Sequence, residues 1–418
     1  MTASWPTAVD VLVVGARCAG AATALQLAAQ GARVLVVDRG AAGTDTLSTH
    51  ALMRGAVVQL HRWGVLPAIV AANTPAIRRT TFVYGGEALE IAIPDKHGVA
   101  ALYAPRRTVL DRVLVEAAAA AGATTRFGSR LAGLRRDPTG RVVGATIVDG
   151  EGGAHDVRAG YVVGADGRHS TVARLAGAEV VRAGEAVTAT VYGHWDGCPG
   201  DGYRWVYGTE ACVGVIATTD DAACVFVTVP ASRFAPTFRG DVGGGFRRVL
   251  AALDPGLADG LAGREPMHGL HGFGGQRGQF VRSHGPGWAL VGDAGYFKDP
   301  LTAHGITDAL LHAELLARAL GRGGDDALAA YDAARTALGT PVFDVTEAIA
   351  GFAWSLDEVR LLHRRLARAM AAELDAALAA FGEPAADVAG PVLHDHEVRG
   401  AARRGRLAED EQELTAVR

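Results

Sequence analysis

The sequence predicts an α/β protein in which a Rossmann-like domain is interrupted by an antiparallel-sheet domain and followed by a C-terminal helical region. Three observations carry this. Residues 13–39, VVGARCAGAATALQLAAQGARVLVVDR, read strand, glycine turn, helix, strand, acid. Residues 187–229 hold the short apolar runs TATVYGHW, YRWVYG, CVGVIATT and CVFVTVP, rich in the β-branched and aromatic residues that strands favour. Residues 288–291 then repeat the pattern of a short buried strand running into glycine and a helix, so the first kind of unit returns after the sheet.

Taken in order, residues 9–14 are apolar and β-branched, as a buried parallel strand requires. Residues 19–30 read as a helix closed by Gly31, and 33–37 as the next strand. A helical pattern from about Ala51 follows Ser48 and Thr49, which have the chemistry of N-caps. Residues 80–93 alternate between turns and read as a hairpin. Residues 107–121 form a helix, 124–127 a strand, 131–148 a second hairpin and 160–163 a buried strand. Helical stretches are expected over 246–261, 305–320 and 325–381, with a charged tail from 382. The expected Rossmann-like domain is therefore discontinuous, over 1–79, 98–180 and 278–335. The second domain takes 80–97 and 181–277, and the helical region with its tail takes 336–418.

Hydrophobic residues make up 49% and charged residues 21% of the 418, which permits a large core. The net charge of −4, without a long Lys/Arg run, argues against nucleic acid as a partner. Cys18, Cys198, Cys212 and Cys224 have neither CxxC nor metal-like spacing, so no metal site is expected and a reducing cytoplasm is the simple reading. The first apolar run is too short for a signal peptide or a membrane span.

Three stretches carry chemistry. In the first, Gly15 allows a tight turn and Gly20 a close approach of helix to strand. The helix start offers N–H donors to a pyrophosphate, and Asp38 stands where a ribose hydroxyl would need an acceptor. Arg17 occupies the place of the second glycine, so its backbone is expected to border the pyrophosphate while its side chain turns outward or toward a phosphate. The second, YVVGADGRHSTVARLAG, delivers Asp166 at a strand's C-terminal end, with Ser170 able to cap the next helix. In the third, GWALVGDAGYFKDPLTAHGITDALLHAELLARAL, a strand delivers Gly292 and Asp293, and a loop through Pro300 leads to a helix starting at Gly305 and Ile306. Each alone has an ordinary structural explanation as a turn.

Together, in this order, the three resemble the FAD-dependent group A monooxygenases of the p-hydroxybenzoate hydroxylase fold, with their flavin halogenase and prenyl reductase cousins. The resemblance spans about residues 9–320. It implies resident FAD, with NAD(P)H as a transient reductant and molecular oxygen as co-substrate. It places the ADP half of FAD at Gly15, Ala16, Arg17, Ala19, Gly20, Asp38 and Arg39, and further contacts at Asp166, Gly292, Asp293, Pro300, Gly305 and Ile306. The family's Arg-x-x-Leu pattern falls on Arg107 and Leu110 of PRRTVLDRVL. His50 sits where the chain passes the flavin, as a contact or a point of covalent attachment. His304, on the loop beside the ring, is the candidate catalytic residue. His194, Trp195, Tyr203 and Trp205, with Tyr207, are candidates for a small-molecule pocket that suits a planar substrate.

The chain departs from the family at Arg17, and at Ala303 and Thr307, which replace a glycine and an asparagine of the usual loop. The tryptophans include no Trp-x-Trp-x-Ile-Pro segment of the halogenases. The leading expectation is an NAD(P)H-driven monooxygenase of a small aromatic or polyketide-like molecule. A reductase acting on C=C or C–C bonds is the alternative, ahead of a halogenase-like enzyme or a non-catalytic flavoprotein.

Overall fold

The computed structural model describes residues 4–197 and 202–381; Cys198 and the tail from 382 lie outside the described residues. Strand Ala8–Val14 is the centre of an eight-stranded sheet. Val34–Val37 lies parallel on one side of it and Ala154–Gly164 on the other, flanked in turn by Thr124–Arg126 and Trp288–Leu290. The central strands are buried on both faces, which explains their unbroken apolar composition. Helices Cys18–Ala29, Arg107–Ala120 and Gly305–Arg322 cover one face. Helix Thr171–Ala176 and the hairpin Arg130–Arg136/Val142–Val148 pack on the other side.

The hairpin Arg79–Tyr84/Glu87–Ala92 joins the later strands in a seven-stranded sheet, where Arg79–Tyr84 runs parallel to Tyr203–Tyr207. Strands Thr188–Asp196, Cys212–Ala217 and Ala222–Pro230 are buried almost throughout because this sheet, too, is covered twice. Val191, Trp195, Val213 and Val225 pack with Phe238 and Phe246 of the helices behind it. Tyr192, Tyr203, Trp205, Tyr207 and Phe226 face the main core. A small sheet of Val180–Ala183, Gln279–Val281 and Tyr296–Phe297 lies where the chain enters and leaves this layer.

Local chemistry changes three boundaries. Ser48 and Thr49 cap no helix: the helix begins at Arg54 after an extended Met53, and the Ser48 hydroxyl accepts from His50 N–H. The 246–261 stretch is two helices, Val242–Leu253 and Pro255–Gly260, because Asp254 caps the second and Pro255 occupies its first position. The 325–381 stretch also divides, into Asp325–Ala350 and Leu356–Phe381. Ser355 and Glu358 restart it with reciprocal side-chain to backbone hydrogen bonds, a capping box. Helix Leu356–Phe381 packs on Arg54–Arg62, Gly305–Arg322 and strand Arg79–Tyr84, so it touches both layers. No described helix is long and apolar enough to cross a membrane.

Among the described glycines the tightest approach to backbone is at Gly20, where a Cβ would meet the Gly15 carbonyl oxygen at 1.8 Å. Gly20→Ala should destabilise the protein by roughly 1–3 kcal/mol, the cost of overpacking a closed core. The check is a denaturant titration of the variant, and an unchanged midpoint would contradict the packing argument.

Candidate functional site

At the end of strand Ala8–Val14 the backbone turns through Gly15 with φ +107°, and a Cβ there would lie 2.4 Å from the Ala165 carbonyl oxygen. Asp38 steadies this turn: its carboxylate accepts from the N–H of Ala16 at 2.7 Å and of Gly40 at 2.7 Å. Arg39 beside it is exposed. Arg17 has ordinary extended backbone angles and caps helix Cys18–Ala29 without using its side chain. Its guanidinium instead reaches the Asp45 carbonyl at 3.4 Å, so the arginine leaves the turn rather than filling it. The first-turn N–H groups of Ala19 and Gly20 have no acceptor within the helix. That of Cys18 is taken by Asp111 at 3.1 Å.

Asp111 also anchors Arg107, at 2.9 and 3.0 Å, and Arg107 donates to Cys18 Sγ at 3.6 Å. Leu110 is fully buried beneath them. Burial pushes the Cys18 thiol up to about 11, so it is a packed thiol and not a nucleophile.

The two later aspartates differ sharply. Asp166 stands half-buried at its strand end. Its carboxylate holds the start of helix Thr171–Ala176, accepting from the Ser170 hydroxyl at 2.5 Å and from Thr171 N–H at 2.6 Å. Asp293 makes no hydrogen bond with any described residue. Burial raises its pKa, against the fields of Lys298, Arg107 and Arg168. Its carboxylate faces the start of helix Gly305–Arg322, where a Cβ at Gly305 would lie 3.9 Å from Oδ1. Gly305 is exposed and Ile306 half-buried at that helix start. Gly292, at φ +61°, lets Asp293 close on the first helix, since a Cβ there would meet the Ala19 Cβ at 2.7 Å. The following loop is pinned by Asp299, which accepts from Thr188 N–H and hydroxyl at 2.7 Å each and from Leu301 N–H at 3.0 Å. Ala303, where the family has glycine, holds the left-handed φ of +51°.

A cavity of about 150 Å³ opens between these loops and the second sheet, and Asp293, Pro300, Arg168, Ser48, Tyr192 and Trp205 are among its walls. A larger one of about 300 Å³ shares Trp205 and Leu301 with it. Its walls are mostly apolar, including Phe82, Ile93, Tyr207, Leu366 and Met370, with His304 and His363 as imidazoles. Of the aromatic candidates, Trp205 borders both cavities and Tyr207 the larger. Tyr203 lies on the same face but its hydroxyl donates to the Tyr103 carbonyl at 2.6 Å. Trp195 falls on the opposite face, stacked on Phe246, so it lines neither cavity.

His194 is buried against His50, with their Nε2 atoms 2.8 Å apart, so one proton serves both. His50 adopts φ +68° and its Nδ1 has no partner among the described residues. Burial holds both imidazoles neutral, His50 far below the usual value and His194 down to about 4. His304 is 2% exposed and its Nε2 lies 2.5 Å from Glu373 Oε2. Lys298 pairs with Asp308 in the same pocket of charge. His304, Asp308 and Glu373 are grouped closely enough to suit a metal ion, but the Lys298 ammonium already supplies the positive charge among them. Sequence reasoning missed Asp111, Arg168, Lys298, Asp308 and Glu373; Arg168 alone carried a signal, by following the Gly-Ala-Asp-Gly turn.

These features fit FAD. Three glycines keep the turn open, a helix start offers free N–H groups, and the half-buried Asp293 carboxylate has no hydrogen-bond partner among the described residues. Residues 8–195 match the family described as the FAD binding domain, and this part of the chain is an FAD-binding domain. The menaquinone reductase of Mycolicibacterium smegmatis is 28% identical over 352 residues, 76% of this chain and 78% of its own. The aklavinone 12-hydroxylase RdmE of Streptomyces purpurascens is 35% identical over 189 residues, which are 39% of this chain and 34% of that one. The solved structure of Pseudomonas aeruginosa PqsL in complex with 2-aminobenzoylacetate superposes with a TM-score of 0.72 at 21% identity, covering 87% of this chain and all of the other.

Two outcomes follow from this geometry. Asp293→Asn should weaken FAD retention by about tenfold to a hundredfold, the worth of hydrogen bonds to a charged acceptor, as read by flavin released on gel filtration. Retention at the wild-type level would remove Asp293 from the site. Separately, His50, His194, His304, His312 and His363 all have folded pKa values lowered by burial. The unfolded chain binds protons to them first, so stability is full above about pH 6.5 and falls as pH drops from there toward 4. The denaturation midpoint should fall over that range, and replacing His50 and His194 by Asn should flatten part of the fall.

Proposed function

We propose that this FAD-dependent oxidoreductase is an NAD(P)H-driven monooxygenase of a small, largely apolar aromatic or polyketide-like molecule. The observation that carries the reading is the pair of neighbouring cavities walled by the second sheet, one beside Asp293 and Pro300 and the other mostly apolar. When bound, FAD would supply the redox chemistry, two-electron transfer between NAD(P)H and oxygen.

The chain's own residues do the rest. Asp293 would accept from the hydroxyls of the flavin's ribityl chain. The N–H groups at the start of Cys18–Ala29 would hold the pyrophosphate, with Arg17 bordering it by backbone alone. Gly305 and Ile306 would offer a helix start to an electron-rich part of the ring. Trp205, Tyr207 and Phe82 offer planar contacts to the substrate, and the apolar walls keep water from the reacting centre. His50, closed onto His194, is a link between the two layers.

A second reading has a specific observation behind it. The reductase relative aligns over most of this chain, whereas the hydroxylase aligns over about a third of its own length. A reductase of C=C bonds would use the same FAD and the same apolar cavity. Turnover under labelled oxygen separates the two. The monooxygenase should consume oxygen with NAD(P)H in the presence of substrate and place one labelled atom in the product. Anaerobic turnover to a saturated, unlabelled product would establish the reductase instead.

A further inference from the structure

The walls of the larger cavity are not equally exposed. Trp205 and Leu301, which it shares with the smaller cavity, are buried. Its exposed wall residues are Ile91, Lys96, Ala367 and Ala371. Ile91 belongs to the edge strand Glu87–Ala92, Lys96 to the segment that follows it, and the two alanines to helix Leu356–Phe381. The cavity therefore opens to solvent between that segment and that helix, away from the wall it shares with the smaller cavity.

The segment, residues 94–99, is a strap with little core of its own: of the six, only Val99 is buried. Its tip is a two-residue turn closed by hydrogen bonds between Lys96 and Val99 in both directions, each 3.2 Å. Such a turn needs positive φ at both middle residues, and His97 has +57° and Gly98 +74°. Glycine takes that backbone freely, whereas for histidine it is uncommon and needs support. Side chains from two helices give the support. On one flank Arg54, itself in the cavity wall, donates to the carbonyls of Pro94 and Val99 at 2.8 Å each and of Lys96 at 3.3 Å. Across the mouth, Asp375 accepts from the Lys96 ammonium at 3.2 Å and lies 3.2 Å from His97 Nε2. Asp375 directly follows Leu374 of the cavity wall, so this link spans the opening from strap to helix. Lys96 and Asp375 are 47% and 54% exposed, and a pair so open to water is weak enough to break and reform.

We propose that an uncharged, apolar ligand loads the larger cavity through this mouth, that the strap 94–99 is its gate, and that Asp375 latches the gate to helix Leu356–Phe381. The proposal rests on the reading of this cavity as the substrate's, and it holds for the monooxygenase and the reductase alike. With the latch made, Lys96 and Asp375 close the space between the hairpin and the helix. With it broken, the strap stays tied at Arg54 and Val99 while its tip is free to leave the opening. A ligand inside touches the apolar walls and not Asp375, which is no part of them. A weaker latch therefore speeds entry and exit alike and leaves affinity nearly as it was.

The test uses the FAD-loaded full chain and N-phenyl-1-naphthylamine, an uncharged apolar probe whose fluorescence rises out of water, followed by stopped-flow mixing. Asp375→Asn should raise both the association and the dissociation rate by about threefold to tenfold, the worth of two exposed ion pairs on one carboxylate, with Kd nearly unchanged. Salt at about 1 M, which screens charges beyond roughly 3 Å, should speed the wild type in the same way and leave Asp375→Asn as it is. Ala367→Trp, which fills the mouth from the helix side and keeps the latch, should slow both rates. Flavin content and melting temperature, measured on each variant, separate a loosened fold from an opened mouth. Rates indifferent to both Asp375→Asn and salt overturn the gate and leave the substrate cavity standing. So does an Ala367→Trp variant that takes up the probe at the wild-type rate, and so does a changed Kd with an unchanged entry rate. Wild type that does not take up the probe overturns the reading of the cavity, and the gate with it.

Discussion

The fold turns on one crossing of backbones. The chain leaves strand Ala8–Val14 at Gly15, returns from Ala154–Gly164 through Ala165, and returns again from Trp288–Leu290 through Gly292. At that point no side chain fits: a Cβ at Gly15, Gly20 or Gly292 would fall 2.4, 1.8 or 2.7 Å from its neighbour. Hydrogen bonds lace the three strand ends, Gly15 N–H to Val37 oxygen at 2.8 Å, Ala165 N–H to Val14 oxygen at 2.8 Å and Val291 N–H to Gly164 oxygen at 2.9 Å. The crossing gathers segments far apart in sequence onto the C-terminal edge of one parallel sheet, where such sheets bind ligands. It also explains why Arg17 is tolerated. The steric burden of the turn falls on Gly15 and Gly20, while residue 17 sits in extended backbone with its side chain directed toward the loop at Asp45.

Charge is arranged around that crossing as deliberately as shape. Arg107 is buried, yet its guanidinium is held by Asp111, which also takes the Cys18 N–H, so one carboxylate ties a helix start to a cation. The same arginine, with Lys298 and Arg168, surrounds the unpartnered Asp293. Lys298 itself is pulled down to about 8 by burial, offset by Glu373 and Asp293. Burial of these groups is tolerable only as a balanced set, since removing one partner leaves a buried charge exposed to the full desolvation penalty. The interior charges come from the returning strand's loop, helix Gly305–Arg322 and helix Leu356–Phe381, so the terminal helix is part of the electrostatics of the site.

What was legible in the sequence follows from what repeats at short range. Strand, glycine turn and helix recur with fixed spacing, and this was enough to bring Gly15, Gly20 and Asp293 to one edge. Capping was less legible, because Ser48 and Thr49 have the right chemistry but His50 beside them takes a left-handed φ that no helix start allows. Whether Asp166 caps Thr171–Ala176 cannot be read from its letter; only the hydrogen bonds show that it does. Trp195 and Trp205 could not be separated, since strand parity needs a register. In Thr188–Asp196 the even positions Thr190, Tyr192 and His194 face the first helical layer, and Trp195 faces away. Glu373 was invisible because it is one acid in an alanine-rich amphipathic helix, and its partner is 69 residues away.

The second sheet makes the division between cofactor and substrate intelligible. Its back is sealed by Phe238 and Phe246, so every group it offers to chemistry must come from the front face. That face does not meet the Rossmann-like layer evenly. The His50–His194 pair and the Asp299–Thr188 bonds close the contact at strand Thr188–Asp196, while Arg79–Tyr84 and Tyr203–Tyr207 lie farther along the sheet under helix Leu356–Phe381. The gap left between these contacts is the space the two cavities occupy, with Trp205 and Leu301 as the common wall. A neutral imidazole pair is well suited to such a seam. It joins two layers by a hydrogen bond without placing a net charge beside the Asp293 carboxylate or in the apolar space beyond, where an uncompensated charge would be costly.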